Sequence, residues 1–420
     1  MEEVFTMISV QRLKRQFDTL RGISASSTGI NRLAFSDKDW EGRSYIASLM
    51  EEAGLSVRSD AFGNVIGHFG GRDETLPPIL FGSHGDSVPE GGNYDGIVGI
   101  LGAIETVRSM KEDGFIPDHP LEVVLFMCEE SRRFSVATLG SRAMRGALSA
   151  SDLLRLHDHE GSSLYAVLKQ RGLDPEQIES ARYDKKIKAF LELHIEQGKV
   201  LEHKGKQIGI VTGIAAPSRL ICKIHGSADH SGATPMNLRR DGLCAAAEVI
   251  LAVEKAAKAK ENPPVVATVG IAEVTPCVMN VIPGEVRLGI DIRSIDSAAR
   301  EDAETSIRSA IESITKKRGI AYTLEPISKE APAVMDPALV SLLANTAKEE
   351  GFAAIHMPSG AGHDSMHWAD YAPTGMLFIP CRDGISHNPA EHAKLEDIVA
   401  GVRTLEKAVR TLSQKAYALS

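Results

Sequence analysis

Residues 77–110 read "PPILFGSHGDSVPEGGNYDGIVGILGAIETVRSM". The apolar run after the two prolines is short and ends in a loop rich in glycine and polar residues. Beyond the loop, Ile97, Ile100, Leu101, Ile104 and Val107 recur at intervals of three and four, which is the spacing of one buried helical face. A short buried strand, a loop and an amphipathic helix make one α/β unit. The loop also collects His84, Asp86 and Asp95. Taken singly they are turn and cap residues, and Asp95 before Gly96 would serve as a helix N-cap. Taken together they are metal donors, and the rest of the chain has to decide between these readings.

The pattern repeats outward. "NVIGHF", "LEVVLFM" and "AFLELHI" are further apolar runs with helical stretches between them, and 8–22 and 38–54 are expected helices. From residue 213 the pattern changes. "SRLICKIHG" alternates with period two, and two helical and three strand-like stretches follow up to "IAYTLEPIS". The order β-α-β-β-α-β is that of a ferredoxin-like unit. α/β patterning resumes with "DPALVSLLANTAKEEGF". The expected architecture is therefore an α/β domain from residues 1–212 and 332–420, discontinuous in sequence, carrying an inserted α+β domain at 213–331.

The bulk numbers narrow the function. The chain has 420 residues, 43% of them hydrophobic, and a net charge of −9. Interspersed charges of this balance offer no basic face for nucleic acid. No uninterrupted apolar stretch of ~18 residues implies a membrane span. The opening "MEEVFTMISVQRLKRQF" lacks the apolar core of a secretory signal. Five scattered cysteines without C-x-x-C spacing read as free thiols of a reducing, cytoplasmic compartment.

Five transitions carry acids or imidazoles: His84 and Asp86, Asp95, Glu129 and Glu130, His194 with Glu196 and Gln197, and His387. Four of them follow strand-like runs. Ligands of open α/β sheets gather beyond the carboxyl ends of the strands, so these side chains are expected to converge. Three imidazoles with Asp95 and Glu130 would suit two divalent ions sharing one carboxylate. The mixed nitrogen and oxygen set fits Zn or Mn. Glu129, beside a ligand, would be the proton carrier, and Asp86 would orient His84 from behind. The bland readings are solvated loop acids at 129 and 130 and a hydrogen-bonded core histidine at 194. Among the fourteen histidines, His119, His157, His159 and His203 lie in polar stretches and are expected at the surface. His363 and His367 fit either environment.

With these residues in place, the chain resembles the hydantoinase/carbamoylase amidases, within the di-metal, M20-like aminoacylases and exopeptidases. The matching blocks run the length of the chain: "GSHGDSVPEGGNYDGIVGILGAIE", "EESRRF" with "GSRAMRG", "ELHIEQGKVLE", "GIVTGIA", "DHSGATPMNLRRD", "MNVIPGEVRLGIDIR", "PSGAGHDS" and "GISHNPAE". The resemblance implies metal ligands at His84, Asp95, Glu130, His194 and His387, with Asp95 bridging. It implies Glu129 as general acid/base and Asp86 as the residue orienting the first histidine. It places His230 at the scissile carbonyl across a dimer interface, and Asn280 and Arg293 on the substrate carboxylate. Gln197 and Gly360 would line the pocket. Arg293 has a plainer reading as a salt bridge to Asp291 or Asp296. Departures from the family pattern are Ser131 and Arg132 after the glutamates, Gly85 between His84 and Asp86, Pro217 and Arg219, and Cys277.

The implied protein is a cytoplasmic homodimer with two divalent ions per subunit, Zn or Mn, with Co or Ni as substitutes in vitro. Its inserted domain would be a lid and a dimer surface. Its substrates would be small carboxylates, first N-carbamoyl-L-amino acids, then allantoate or 3-ureidopropionate, then N-acyl amino acids or dipeptides. The reading from another class is a non-catalytic protein that binds an amino-acid derivative.

Overall fold

The computed structural model describes residues 8–419 of the chain; the start of the segment read above as lacking a signal core, residues 1–7, lies outside them. In chain order the strands are β1 (Ser56–Ser59), β2 (Val65–Phe69), β3 (Ile79–His84), β4 (Leu121–Phe126), β5 (Ala189–Ile195), β6 (Ile208–Ile214), β7 (Ala216–His225), β8 (Val266–Thr275), β9 (Glu285–Ser294), β10 (Ala321–Lys329), β11 (Ala333–Val334), β12 (Ala354–Ser359) and β13 (Thr374–Ile379). The chain forms two compact units, residues 1–212 with 334–420, and residues 213–333. Re-entry into the first unit comes at Val334, two positions later than the expected 332, within the short strand Ala333–Val334.

In the first unit a nine-stranded sheet runs β1-β2-β4-β3-β5-β13-β6-β11, with β12 paired to β6. Its four central strands, β4, β3, β5 and β13, are mutually parallel. They are buried along their whole length, which is why they read as unbroken apolar runs rather than alternations. The flanking pairs β2–β4 and β13–β6 are antiparallel. The helix Ile97–Glu112 makes the crossover from β3 to β4. Its Ile97, Leu101, Ile104 and Val107 are fully buried with Phe81, Leu191 and Leu193 of the sheet. Burial of this kind contributes ~1.5–3 kcal/mol per large aliphatic side chain. Gly99 lets the helix lie close, since a Cβ there would stand 2.3 Å from the Leu193 carbonyl oxygen. The helix Asp37–Ala53 starts at the Ser36 cap and stops at Gly54, φ 96°, a left-handed C-terminal glycine.

The second unit is a four-stranded antiparallel sheet in the order β10-β7-β9-β8, with helices Gly242–Lys258 and Ser297–Arg318. The chain order β-α-β-β-α-β is the ferredoxin-like one. Every second residue of β9 is buried, and its Leu288, Ile290 and Ile292 form one core with Val249, Val253, Ile307 and Ile311 of the helices. Asp241 and Asp296 cap the two helices, as their position before apolar periodic segments requires. No helix among the described residues is long and apolar enough to cross a membrane. All five cysteines are free thiols.

Candidate metal centre

The four parallel strands point their carboxyl ends the same way, and the chemistry-bearing residues sit on or just beyond those ends. β3 ends on His84. β4 is followed by Glu129 and Glu130. β5 holds His194 as its penultimate residue, and the turn after it holds Gln197. β13 leads to Ser386 and His387. Asp95 closes the loop that opens the helix Ile97–Glu112. Gly96, φ 67°, makes that turn, and a Cβ there would stand 2.6 Å from the His84 ring. Five non-glycine residues in these turns hold left-handed backbone: Glu90 (φ 54°), Cys128 (φ 57°), Gln197 (φ 56°), Asp383 (φ 57°) and His387 (φ 55°). Such conformations are costly and cluster at functional sites.

The side chains meet at Asp95. Its Oδ1 lies 3.0 Å from His194 Nε2 and 3.5 Å from His84 Nε2. Its Oδ2 lies 3.1 Å from His387 Nε2, which is also 3.1 Å from Glu130 Oε1. Two groups of three donors therefore share one carboxylate: His84, Asp95 and His194, and Asp95, Glu130 and His387, each within 4.8 Å. A third such group, Glu192, His194 and His363, lies deeper. The tautomers suit metal binding. His84 Nδ1 faces the Asp86 carbonyl at 3.1 Å and His194 Nδ1 faces the Ile195 carbonyl at 2.9 Å. Each Nδ1–H donates there, which leaves each Nε2 facing Asp95, and His194 Nε2 also lies 3.2 Å from the Gly96 N–H.

The electrostatics test whether cations fit. Burial would raise Asp95, yet His194, His387 and His84 hold it well below the usual carboxylate range. Burial would lower His84, but Asp95, Glu129 and Asp86 outweigh it and raise it well above its ordinary value. The bonds to Asp95 and Glu130 push His387 up to about 11. Burial raises Glu129 well above the usual range, with Glu130, Asp364 and Asp86 adding to it and His84 opposing. The ion pairs of Asp95, Glu129 and Glu130 are all with imidazoles. A buried cluster of carboxylates that can find positive charge only by protonating its histidines is a donor set suited to divalent cations.

Glu129 stands 3.9 Å from His84 Nε2 and belongs to neither triad. Asp86 does not orient His84 through its carboxylate, which lies 3.7 Å from Nδ1; its main-chain carbonyl takes that bond. Its carboxylate instead accepts the backbone N–H groups of Glu129 (3.2 Å) and Glu130 (3.1 Å) and so fixes the turn that separates their roles. Gln197 Nε2 donates to Asp95 Oδ2 at 2.8 Å, while its Oε1 is buried without a partner. Gly360 follows β12 in the loop toward His363, in the first unit.

His230, Asn280 and Arg293 belong to the second unit. His230 Nδ1 accepts N–H bonds from Gly232 and Ala233, both 3.1 Å, so its exposed Nε2 carries the proton. The main chain ties Asn280 to the same place, Ser231 N–H donating to the Asn280 carbonyl at 3.0 Å. Arg293 Nε and Nη2 grip Asp291 at 2.7 and 3.3 Å, the salt bridge of its plainer reading. Arg219, one of the departures, holds the same Asp291 at 2.9 Å.

Several supporting residues escaped the sequence reading. Glu391 accepts the N–H groups of Tyr94 (2.8 Å) and Asp95 (3.1 Å), and Ser386 bridges Glu391 and Asp95 at 2.9 Å each. Glu192 accepts from the Ser83 hydroxyl at 2.8 Å and from Ser365 N–H at 3.0 Å. Its signal was present: an acid two residues before His194, on the same face of a buried strand. His119, expected at the surface, is buried, with Nδ1 on the Pro77 carbonyl at 2.8 Å. His363 is buried edge-on to His194, ring centroids 4.5 Å apart.

The chain is similar to known proteins over nearly its whole length. The model of peptidase family M20/M25/M40 matches residues 80–411. An N-carbamoyl-L-amino acid amidohydrolase of Geobacillus stearothermophilus is 40% identical, over 97% of this chain and 100% of that one. A ureidoglycolate hydrolase of Arabidopsis thaliana is also 40% identical, over 96% of this chain and 86% of that one. Among solved structures, an amidase of the hydantoinase/carbamoylase family from Burkholderia multivorans superposes with a TM-score of 0.92 at 35% identity, covering 98% of this chain and 99% of that one.

Proposed function

This chain belongs to peptidase family M20/M25/M40, and from that premise we propose that it is a metal-dependent amidohydrolase acting on N-carbamoyl-L-amino acids. One observation carries the reading: two donor triads share Asp95, and Glu129 stands beside them without belonging to either. His84, Asp95 and His194 would hold one divalent ion and Asp95, Glu130 and His387 the other, Zn or Mn by their donor chemistry. Bound there, such ions supply Lewis acidity, polarising a carbonyl and making water acidic near neutral pH.

The protein's own groups do the rest. Glu129 takes a proton from the attacking water as its oxygen adds to the carbamoyl carbon. It returns that proton to the amino-acid nitrogen as the C–N bond to that nitrogen breaks; the products are the amino acid and carbamate, and the carbamate then breaks down to ammonia and carbon dioxide. We assign the substrate carboxylate to Arg293, whose planar guanidinium matches it, together with Asn280. The Nε2–H of His230 is assigned to the developing oxyanion. Lid closure and homodimer formation are assigned to the inserted unit, and Gly360 to the pocket wall. The cytoplasm is the assigned compartment.

The relatives do not choose the substrate, since two of equal identity carry different names. Gln197 does favour one. Its nitrogen is committed to the acceptor-only Asp95, so its oxygen must be an acceptor, and that oxygen is buried without a donor. Leaving it so costs ~1–3 kcal/mol. A carbamoyl NH₂ can satisfy it and an acetyl methyl cannot. Ureido acids such as ureidoglycolate, allantoate or 3-ureidopropionate, which offer the same donor, are the second reading. The test is a substrate panel on protein of defined metal content, following ammonia and amine release. The expected ranking is N-carbamoyl-L-amino acids, then other ureido acids, then N-acyl amino acids. Faster turnover of N-acyl substrates would overturn the Gln197 argument, and no turnover with metal bound would leave a binding protein.

A further inference from the structure

The loop that carries Asp95 has a second side, which the hydrolytic reading does not use. Two adjoining cavities of about 390 and 230 Å³ there share Arg21, Tyr94 and His392. The larger is walled by the segment Ser26–Ile30, by Gly91–Tyr94, and by Arg382 with Pro389–His392. Its charges are unequally committed. Glu391 is its buried acid, and its carboxylate is taken by the N–H groups of Tyr94 and Asp95 and by the Ser386 hydroxyl. Arg21 reaches Asp18 only at 4.0 Å and uses one Nη2 on the Tyr94 hydroxyl at 3.3 Å. Arg382 donates an Nη2 to the Ala390 carbonyl at 3.4 Å and has no carboxylate within ion-pair distance among the described residues. His392 lies among these cations. Burial lowers its pKa, and Arg382, Arg21 and Lys394 lower it further.

The cavity has two under-used guanidinium groups, while the Thr28 hydroxyl of its wall donates to the Glu90 carboxylate and lies 3.2 Å from that of Ser26. A guanidinium fork pairs in bidentate fashion with planar or tetrahedral oxyanions. Two forks on one cavity match a divalent anion better than a single carboxylate, which one fork already satisfies. We propose that this pocket binds a small divalent oxyanion of the phosphate class, gripped by Arg21 and Arg382. The anion would join three segments that otherwise meet only through a few bonds. Two of these lead directly into Asp95 and His387. A ligand that binds only the folded protein stabilises it, by an amount that grows with the logarithm of its concentration above Kd.

The probe is inorganic phosphate, measured by equilibrium dialysis against the metal-loaded protein. Phosphate can also coordinate metal ions, so the comparison is with the Arg21→Ala/Arg382→Ala double variant, whose metal centre is intact. The wild type is expected to bind one phosphate per chain more than the double variant, or to bind it about tenfold or more tightly. The Arg21→Lys/Arg382→Lys variant is expected to fall between them, and phosphate is expected to raise the thermal midpoint of the wild type but not of the double variant. Circular dichroism checks that all three are folded. Equal stoichiometry and affinity in the wild type and the double variant would overturn the proposal, as would a wild type that binds no phosphate at ~10 mM. Binding here is independent of the amidohydrolase reading, because the measurement is of phosphate and not of turnover.

Discussion

Glu129 and Glu130 are adjacent, but the Asp86 carboxylate pins both of their amides and sends their side chains to different work. Glu129→Gln keeps the size and removes the base. We expect kcat to fall by ~10²–10⁴ while metal content, measured by mass spectrometry of the purified protein, stays at the wild-type value. Retained turnover would move the base elsewhere. His367 tests a different kind of residue. Burial, with Arg142 and Arg145 nearby, pushes it down to about 3, and its Nε2 faces the Thr138 hydroxyl at 2.8 Å. Above the ordinary imidazole pKa of ~6.5 both folded and unfolded states are neutral there, and the residue adds no pH dependence. As pH falls from 6.5 toward 3, only the unfolded chain takes the proton, so stability is lost at up to ~1.4 kcal/mol per pH unit. Urea midpoints at pH 7 and pH 5 should converge in His367→Gln. The five residues read as donors stood out because each is chemically conspicuous at an element's edge, four after apolar runs and Asp95 before the helix Ile97–Glu112. Glu391 was not, since its task is to hold two backbone amides, and nothing in its exposed-looking neighbourhood marks that.

At the level of elements, strand ends were the readable feature. Parallel central strands are buried on both faces, so their sequences are runs with sharp polar edges, and the edges are where most of the candidate donors lie. The handedness of the turns was not readable, because Cys128, Gln197 and His387 adopt left-handed backbone that their residue types do not announce. The separation between the helix Ile97–Glu112 and the sheet depends on Gly99. Besides meeting the Leu193 carbonyl, a Cβ there would stand 2.7 Å from Ser83 Cβ. Gly99→Ala should therefore push the helix outward and destabilise the protein by ~1–3 kcal/mol. Gly270→Ala, where an added Cβ meets nothing within 4 Å, should stay within ~0.5 kcal/mol. Chemical denaturation of the pair reads the difference, and equal midpoints would show that the helix has slack.

For the molecule as a whole, the inserted unit was visible as a switch from runs to alternation, and only its return point was misplaced, by two residues. Its ends are neighbours, since Ser218 on β7 pairs with Lys329 on β10. The ends it leaves in the first unit are neighbours too, Met335 N–H donating to the Thr212 carbonyl at 3.1 Å. Replacing residues 214–332 by a short glycine-serine linker should give a folded protein that still binds divalent metal but has lost hydrolysis, because Arg293, Asn280 and His230 go with the excised piece. Calorimetric metal titration beside the activity assay checks both halves, and surviving turnover would mean that the insert holds no part of the substrate.

That pairing of Thr212 with Met335 amounts to a socket. Any polypeptide whose own termini lie side by side could be plugged between them without stretching the host. A fluorescent reporter seated there would be joined to the host through β6, a strand of the same sheet whose strand ends carry His84 and His194.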